Sequence, residues 1–433
     1  MRKHRLITRK ATIIALSAIM ALGVSACNLS SVISTGSSTS TSTSTKTTTT
    51  TTTTTTSSSG SSSATATTDE SEIFSDRDLE QEADTSDATY ITVSDGEDVT
   101  ITEAGVYVIS GSASEVTITV NCEDEDAKVQ LVLDGVTITN SDFPAIYVIS
   151  ADKVFVTTAT GTQNTLTVTG TFTADGETNT DAVIFSKDDL TLNGEGTLTI
   201  VSKQGNGISA KDNLTITGGT YVITAAEDAI EANDSIAISD GTFTITAGKD
   251  GMHCENDEDY TVGEVYISGG TFDITASDDG IQATTYLTIN GGTFDITAVE
   301  GLEATHIIIN GGDITISASD DGINATSKSS YVDVVLEING GTINITMGSG
   351  DTDAIDSNGN LYITGGTINI TASSAFDYDG TGSFTGGTIY VNGSQITQLT
   401  NSMMGGGMGQ MTGGMTGGMT GGMTGDMGGR GGR

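Results

Sequence analysis

Tryptophan is absent, no arginine occurs between Arg77 and Arg430, and 16 Lys and Arg stand against 56 Asp and Glu. The formal net charge of −40 becomes about −45 once residues 1–26, which hold five basic side chains and no acid, are set aside. A chain this acidic repels a phosphate backbone, which excludes nucleic acid as a partner. Three cysteines are present, and Cys122 and Cys254 lie too far apart in sequence for a pairing to be inferred. They read as small buried hydrophobes rather than a disulfide. The apolar run Ala11 to Leu22 is too short for a stable membrane-spanning helix. No EF-hand loop and no calcium-binding nonapeptide repeat occurs, so neither device accounts for the acids.

What is present begins with an export signal. Arg2, Lys3, Arg5, Arg9 and Lys10 precede the apolar run, and Val24-Ser25-Ala26-Cys27 follows it. That ending resembles a bacterial lipobox, which implies cleavage after residue 26, lipidation of Cys27 and a tether on the outer face of a bacterial membrane. Residues 30–68 are almost all Ser and Thr, and the whole stretch 27–89 is expected to be a disordered stalk. Residues 401–433 read as a second disordered segment: five methionines, Met411 to Met427, recur every fourth residue, but Gly-Gly pairs forbid a stable helix. One domain, residues 90–400, is left between them.

Self-similarity decides its fold. LTITGGTYVITAAEDAIEA from Leu214, VYISGGTFDITASDDGIQA from Val265 and IIINGGDITISASDDGINA from Ile307 are copies of one unit of about 21 residues. Within each copy the apolar residues alternate, as strands require. Tyr221, Phe243, Phe272, Phe294 and Ile314 share one position, and Gly-Gly pairs such as Gly269-Gly270 supply turns. One copy cannot close a core, whereas stacking copies in register buries the aromatic and Ile columns continuously. The expected fold is all-β: a right-handed, single-stranded parallel β-helix with three short strands per coil. Residues 90–200 are expected to form an irregular capping end and 201–400 the regular coils.

The third turn of each copy carries acids in register: Asp228, Asp250, Asp279, Glu300, Asp321 and Asp353, with Asp278 and Asp320 beside them. Asp181 looks like an earlier rung, and Asn206 and Ala375 interrupt or end the column. A second polar column follows at Glu231, His253, Gln282, Glu303, Asn324, Asp356 and Asp377. Rungs lie about 4.8 Å apart, where two carboxylates repel by about 3 kcal/mol at an effective dielectric near 20. Such a column must raise its pKa values or recruit cations. Multiple hard oxygen ligands suit Ca²⁺; solvated turn carboxylates are the plainer alternative.

The run DAVIFSKDDLTLNGEGTLTI, the repeated ITGGT-x-x-ITA-x-x-DDGI-x-A and the insert Glu255-Asn256-Asp257-Glu258-Asp259 resemble a bacterial family of surface carbohydrate-binding domain proteins. The resemblance implies a β-helix like that of polysaccharide lyases, calcium on the registered acids, and a cellulose-like or pectic plant cell-wall polysaccharide as partner. With no arginine in the domain to serve as a base, a non-catalytic, calcium-dependent binder is expected, acting as a monomer. Tyr266 and Tyr362 share one strand position and form the expected sugar platform. The chief rival is a calcium-dependent polysaccharide lyase, for which Lys249 is the base to test. A third reading is a structural adhesin or spacer that uses the fold only for reach.

Overall fold

The structure is a computed structural model that describes residues 70–124, 126–349 and 352–401. Cys27, the export signal and the methionine-rich segment lie outside the described residues, as does most of the Ser/Thr stretch. The described residues form one compact unit.

Apart from one turn of 3₁₀ helix at Glu70–Glu72, every element is a strand. The strands form one continuous, overwhelmingly parallel sheet wound into ladders, as the all-β reading requires. Thr220–Ala225 pairs in parallel with Thr242–Ala247, which pairs with Thr271–Ala276, which pairs with Thr293–Ala298. The pairing joins identical repeat positions, Tyr221 to Phe243 to Phe272 to Phe294 to Ile314. Each of these strands alternates open and buried along its length, so its apolar face points inward. Parallel pairing reaches back to Thr89–Thr92 on Gly105–Ser114. At the other end Ser394–Ile396 folds antiparallel on Thr388–Val391 and covers part of the last edge.

The interior is a set of columns rather than a jigsaw. Tyr221, Phe243, Phe272 and Phe294 stack with centroids 5.1, 4.8 and 4.6 Å apart. Each ring lies against the glycine two residues before it, the second of a Gly-Gly turn except at Phe243, where Asp240 precedes Gly241. At Gly270, with φ of +104°, an added Cβ would meet the Phe272 ring at 3.0 Å. Outside, Asn339, Asn310 and Asn290 form an amide ladder that ends on the Tyr266 hydroxyl.

One feature departs from the sequence reading. The expected stalk, residues 27–89, is not free along its whole length, because residues 70–81 lie as a strap across one ladder. That ladder comprises Lys153–Thr158, Asp189–Gly194, Asn213–Ile216, Ser235–Ile238 and Glu264–Ile267. Phe74 packs on Ala237 and Tyr266, and the Arg77 guanidinium sits 4.4 Å over the Phe155 ring. Asp78, buried, takes Lys153 Nζ at 2.7 Å, Thr191 Oγ1 at 2.6 Å and Ser75 Oγ at 2.6 Å. Gln81 bonds the Gly194 amide and the Thr217 carbonyl. The small outward residues Thr191, Thr215 and Ala237, which are paired neighbours, leave room for the strap.

Burial pulls the Asp78 pKa up, but its Lys153, Ser75 and Thr191 partners hold it below the usual carboxylate range. Asp78→Ala strands Lys153 without its counter-charge. It is expected to lower unfolding free energy by about 3–5 kcal/mol, read from urea denaturation; an unchanged midpoint would show that the strap is not a stabilising element.

Candidate metal centre

The acidic column forms where each repeat turns a tight corner into a short strand. Asp228, Asp250 and Asp279 are buried, at 5, 5 and 4 % exposure. The Asp228 amide donates to Asn206 Oδ1 at 2.9 Å, the Asp250 amide to Asp228 Oδ1 at 3.0 Å, and the Asp279 amide to Asp250 Oδ1 at 2.8 Å. The Asp353 amide repeats this on Asp321 Oδ1 at 3.0 Å. One oxygen of Asp228, of Asp250 and of Asp321 thus fastens the next rung, which fixes the direction of the other oxygen. Gly280, after Asp279, is tight: a Cβ there would meet Ile296 Cγ2 at 2.4 Å.

The two columns follow the register expected from the sequence. Asp279 pairs with Glu300, while Glu231, His253, Gln282, Glu303, Asn324, Asp356 and Asp377 form the second column. Its ends differ from expectation. Ala182, not Asp181, is opposite Asn206, and Ser374, not Ala375, is opposite Asp353.

Ligand-capable atoms converge within 4.8 Å in three groups: Asp228, Asp250 and His253; Asp250, Asp278 and Asp279; and Asp279, Glu300 and Glu303. Asp320, Asp321 and Asp353 continue the column but join no such group among the described residues. The first group differs from the others electrostatically. His253 Nδ1 lies 3.5 Å from Asp228 and 3.6 Å from Asp250, and Nε2 lies 3.1 Å from Glu255. Burial lowers the His253 pKa, but Asp228, Asp250 and Glu255 outweigh it and push it up to about 9. Burial likewise raises Asp228, yet the His253 contact and the Asp250 amide bring it below the usual range. An imidazolium already supplies positive charge there, and Asp228 fits a metal least well of the expected ligands.

The other two groups lack enough positive charge. Burial, with the neighbouring acids adding to it, pushes Asp250 to about 6 and Glu300 to about 7. Asp279 is raised well above the carboxylate range, first by burial and then by Glu303, with which it shares a proton-hungry site. Gln282 Nε2 bridges the two, 2.8 Å from Asp279 Oδ2 and 2.9 Å from Glu303 Oε2. Farther along, Asp321 is raised to about 6 and Asp356 to about 7 by burial and like charge. Asn324 Oδ1 is buried without a hydrogen-bond partner. Converging carboxylates and an orphaned amide oxygen are the kind of donor set that suits a hard divalent cation.

Sequence reasoning missed Lys328. It lies on the loop after Ile323–Ala325, outside the repeat, and its Nζ forms an ion pair with Glu303. Burial lowers its pKa, but Glu303, Asp279 and Glu300 raise it above the ordinary lysine value. Lys249, the expected base, pairs with Glu227 Oε2 at 2.8 Å, and that contact raises its pKa first of all, favouring the charged form. The expected sugar platform is not assembled. Tyr266 is 8 % exposed beneath Phe74, and Thr288, Ile308 and Glu337 intervene between it and Tyr362 in their shared column.

Comparison with known proteins agrees with a carbohydrate-binding chain. Residues 95–354, and a second overlapping stretch 300–421, match a family model described as carbohydrate-binding domain-containing protein. A curated protein of that description from Acetivibrio thermocellus is 39 % identical over 137 residues, covering 31 % of this chain and 47 % of the relative. The chain therefore spans about half the length of the curated relative it matches. A solved structure, the polysaccharide lyase-like protein from C. thermocellum (gadolinium derivative), aligns at a TM-score of 0.45 and 32 % identity. It covers 52 % of this chain and 93 % of that one. By the extent of the family match, this chain belongs to the carbohydrate-binding domain-containing protein family.

Proposed function

We propose that this protein is a non-catalytic, calcium-dependent polysaccharide-binding module. In this reading it is displayed on the outer face of a bacterial membrane through a lipid on Cys27, and its partner is a cellulose-like or pectic plant cell-wall polysaccharide. The scaffold is a right-handed coil of three strands per turn, the hand that parallel crossovers prefer.

The observation that carries the reading is geometric: carboxylate oxygens of Asp250, Asp278 and Asp279, and of Asp279, Glu300 and Glu303, converge within 4.8 Å in two groups that share Asp279. Asp250, Asp278, Asp279, Glu300 and Glu303 would hold calcium, Asp250 through the oxygen that the Asp279 amide leaves free. Bound there, calcium neutralises the column and offers open coordination positions to an acidic sugar that the bare acids repel.

The test is retention of the full chain on cross-linked polygalacturonate with calcium and with EDTA. Retention in calcium, lost in EDTA and lost in Asp279→Asn, is expected; retention insensitive to EDTA would remove calcium from the reading.

One observation favours a lyase as the second reading. Lys328 stands beside the Asp279, Glu300 and Glu303 group, and a lyase needs a base near its calcium to take the C5 proton of a uronate. Its pairing with Glu303 keeps it cationic, which is the wrong state for a base. On polygalacturonate with calcium, no rise in absorbance at 232 nm is expected; a rise that EDTA removes would establish the lyase.

A further inference from the structure

The two longest interruptions of the regular rungs lie on the same side of the molecule and meet. One joins Met252–Cys254 to Glu264–Ile267, the other joins Ile323–Ala325 to Val335–Ile338. Between these rungs are two that need no insertion: Asp279–Ile289 and Glu300–Ile309 each run straight through the corresponding corner. The fold therefore closes without the loops. Loops of this kind, held on a rigid scaffold, commonly carry function.

The loops arch over the two plain rungs and join through one hydroxyl. Ser329 Oγ donates to the Tyr260 carbonyl at 2.6 Å and accepts the Tyr331 amide at 3.0 Å. The main chains of Tyr260 and Tyr331 are thereby tied together although far apart in sequence, and the two residues are 59 and 52 % exposed. Tyr331 is close enough that its charge, after burial, raises the pKa of Tyr286, whose ring centre lies 5.3 Å from that of His306 on the plain rungs.

Both loops are ordered before any ligand arrives. Asn256 Nδ2 bonds Asp234, and Asn256 Oδ1 accepts the amides of Glu258 and Asp259. Thr305 Oγ1 accepts the amides of Lys328 and Ser329, at 3.1 and 2.9 Å. Exposed rings carried on a backbone held this firmly leave only their own side-chain entropy to lose on binding.

The chemistry around the rings selects the ligand. Asp257, Glu258 and Asp333 flank them, and the one lysine on these loops, Lys328, is engaged by Glu303. A uronate is repelled by such a surround. A neutral sugar is not: its C–H face stacks on tyrosine, and its hydroxyls donate to carboxylates.

We propose that Tyr260 and Tyr331 form a calcium-independent subsite for a neutral hexopyranose chain, separate from the acidic column. The proposal deepens the carbohydrate-binding part of the reading above and does not use its calcium part.

The test titrates the full chain with cellohexaose in EDTA by calorimetry. Wild type is expected to bind, and Tyr260→Ala/Tyr331→Ala to bind about tenfold more weakly or not at all. Tyr260→Phe/Tyr331→Phe, which keeps both ring faces, is expected to retain binding, and an unchanged melting temperature in both variants excludes misfolding. Binding by the alanine variant at wild-type affinity would overturn the proposal, as would no binding by wild type. If cellohexaose binding persists while calcium-dependent retention on polygalacturonate is absent, the calcium reading fails and this subsite stands.

Discussion

In calcium-free buffer the melting temperature of this protein falls as pH rises from about 4 to 7, and millimolar calcium removes the fall. The sign follows from the folded-state pKa values. Asp250 and Asp321 are raised to about 6, and Glu300 and Asp356 to about 7, by burial and then by neighbouring acids. In the unfolded chain the same groups titrate near 4. Their protonated forms stabilise the fold fully below that value, and the benefit is lost as pH rises through 6 to 7. For Asp250 alone the loss is on the order of 3 kcal/mol, and the column is coupled, so the losses do not simply add. Asp78 and Asp228, held below their ordinary values, act in the opposite direction and only at more acidic pH. Calcium binds the ionised column and stabilises the folded state by mass action. Differential scanning calorimetry across this range decides the matter. A calcium-free protein that gains stability toward about pH 7 would refute it, and so would a slope that calcium leaves untouched.

Phe272→Ala is expected to cost about 3–5 kcal/mol in unfolding free energy, among the largest losses available to a single substitution here. The ring is 1 % exposed and lies between Phe243 and Phe294 at 4.8 and 4.6 Å. Its removal opens a gap that the flanking rings cannot fill, because each is fixed by its own strand's pairing. Thr271→Ala, one residue away on the open face, should change stability by less than about 0.5 kcal/mol. Urea denaturation of both variants makes the comparison. Equal midpoints would mean that the aromatic column is not the spine of the core.

The aromatic column and the registered acids were legible because each repeats, and a repeat records its own register. The misreadings fall where repetition stops. Tyr266 points outward, as alternation says, but outward is not open: Phe74 lies on it, and nothing in the residues before 90 repeats to announce the strap. Asp228 has the same neighbours in sequence as the other acids, and only the neighbouring rung's His253 sets it apart. Lys328 and the Tyr260–Tyr331 pair sit on insertions, where the period is broken and alignment of copies discards the residues that matter.

A solenoid whose rungs touch only their neighbours melts like a zipper, from the ends inward. The strap changes that for part of this molecule. Residues 74–81 make contacts on five successive rungs, from Lys153 to Tyr266, so none of the five can open without releasing the others' shared partner. Those rungs are fused into a single cooperative block, while the rungs after Tyr266 keep the independence of a linear array. Fraying should therefore start both in the rungs before Lys153 and in those after Tyr266 and halt at the block, giving one chain two melting ends and a fixed middle.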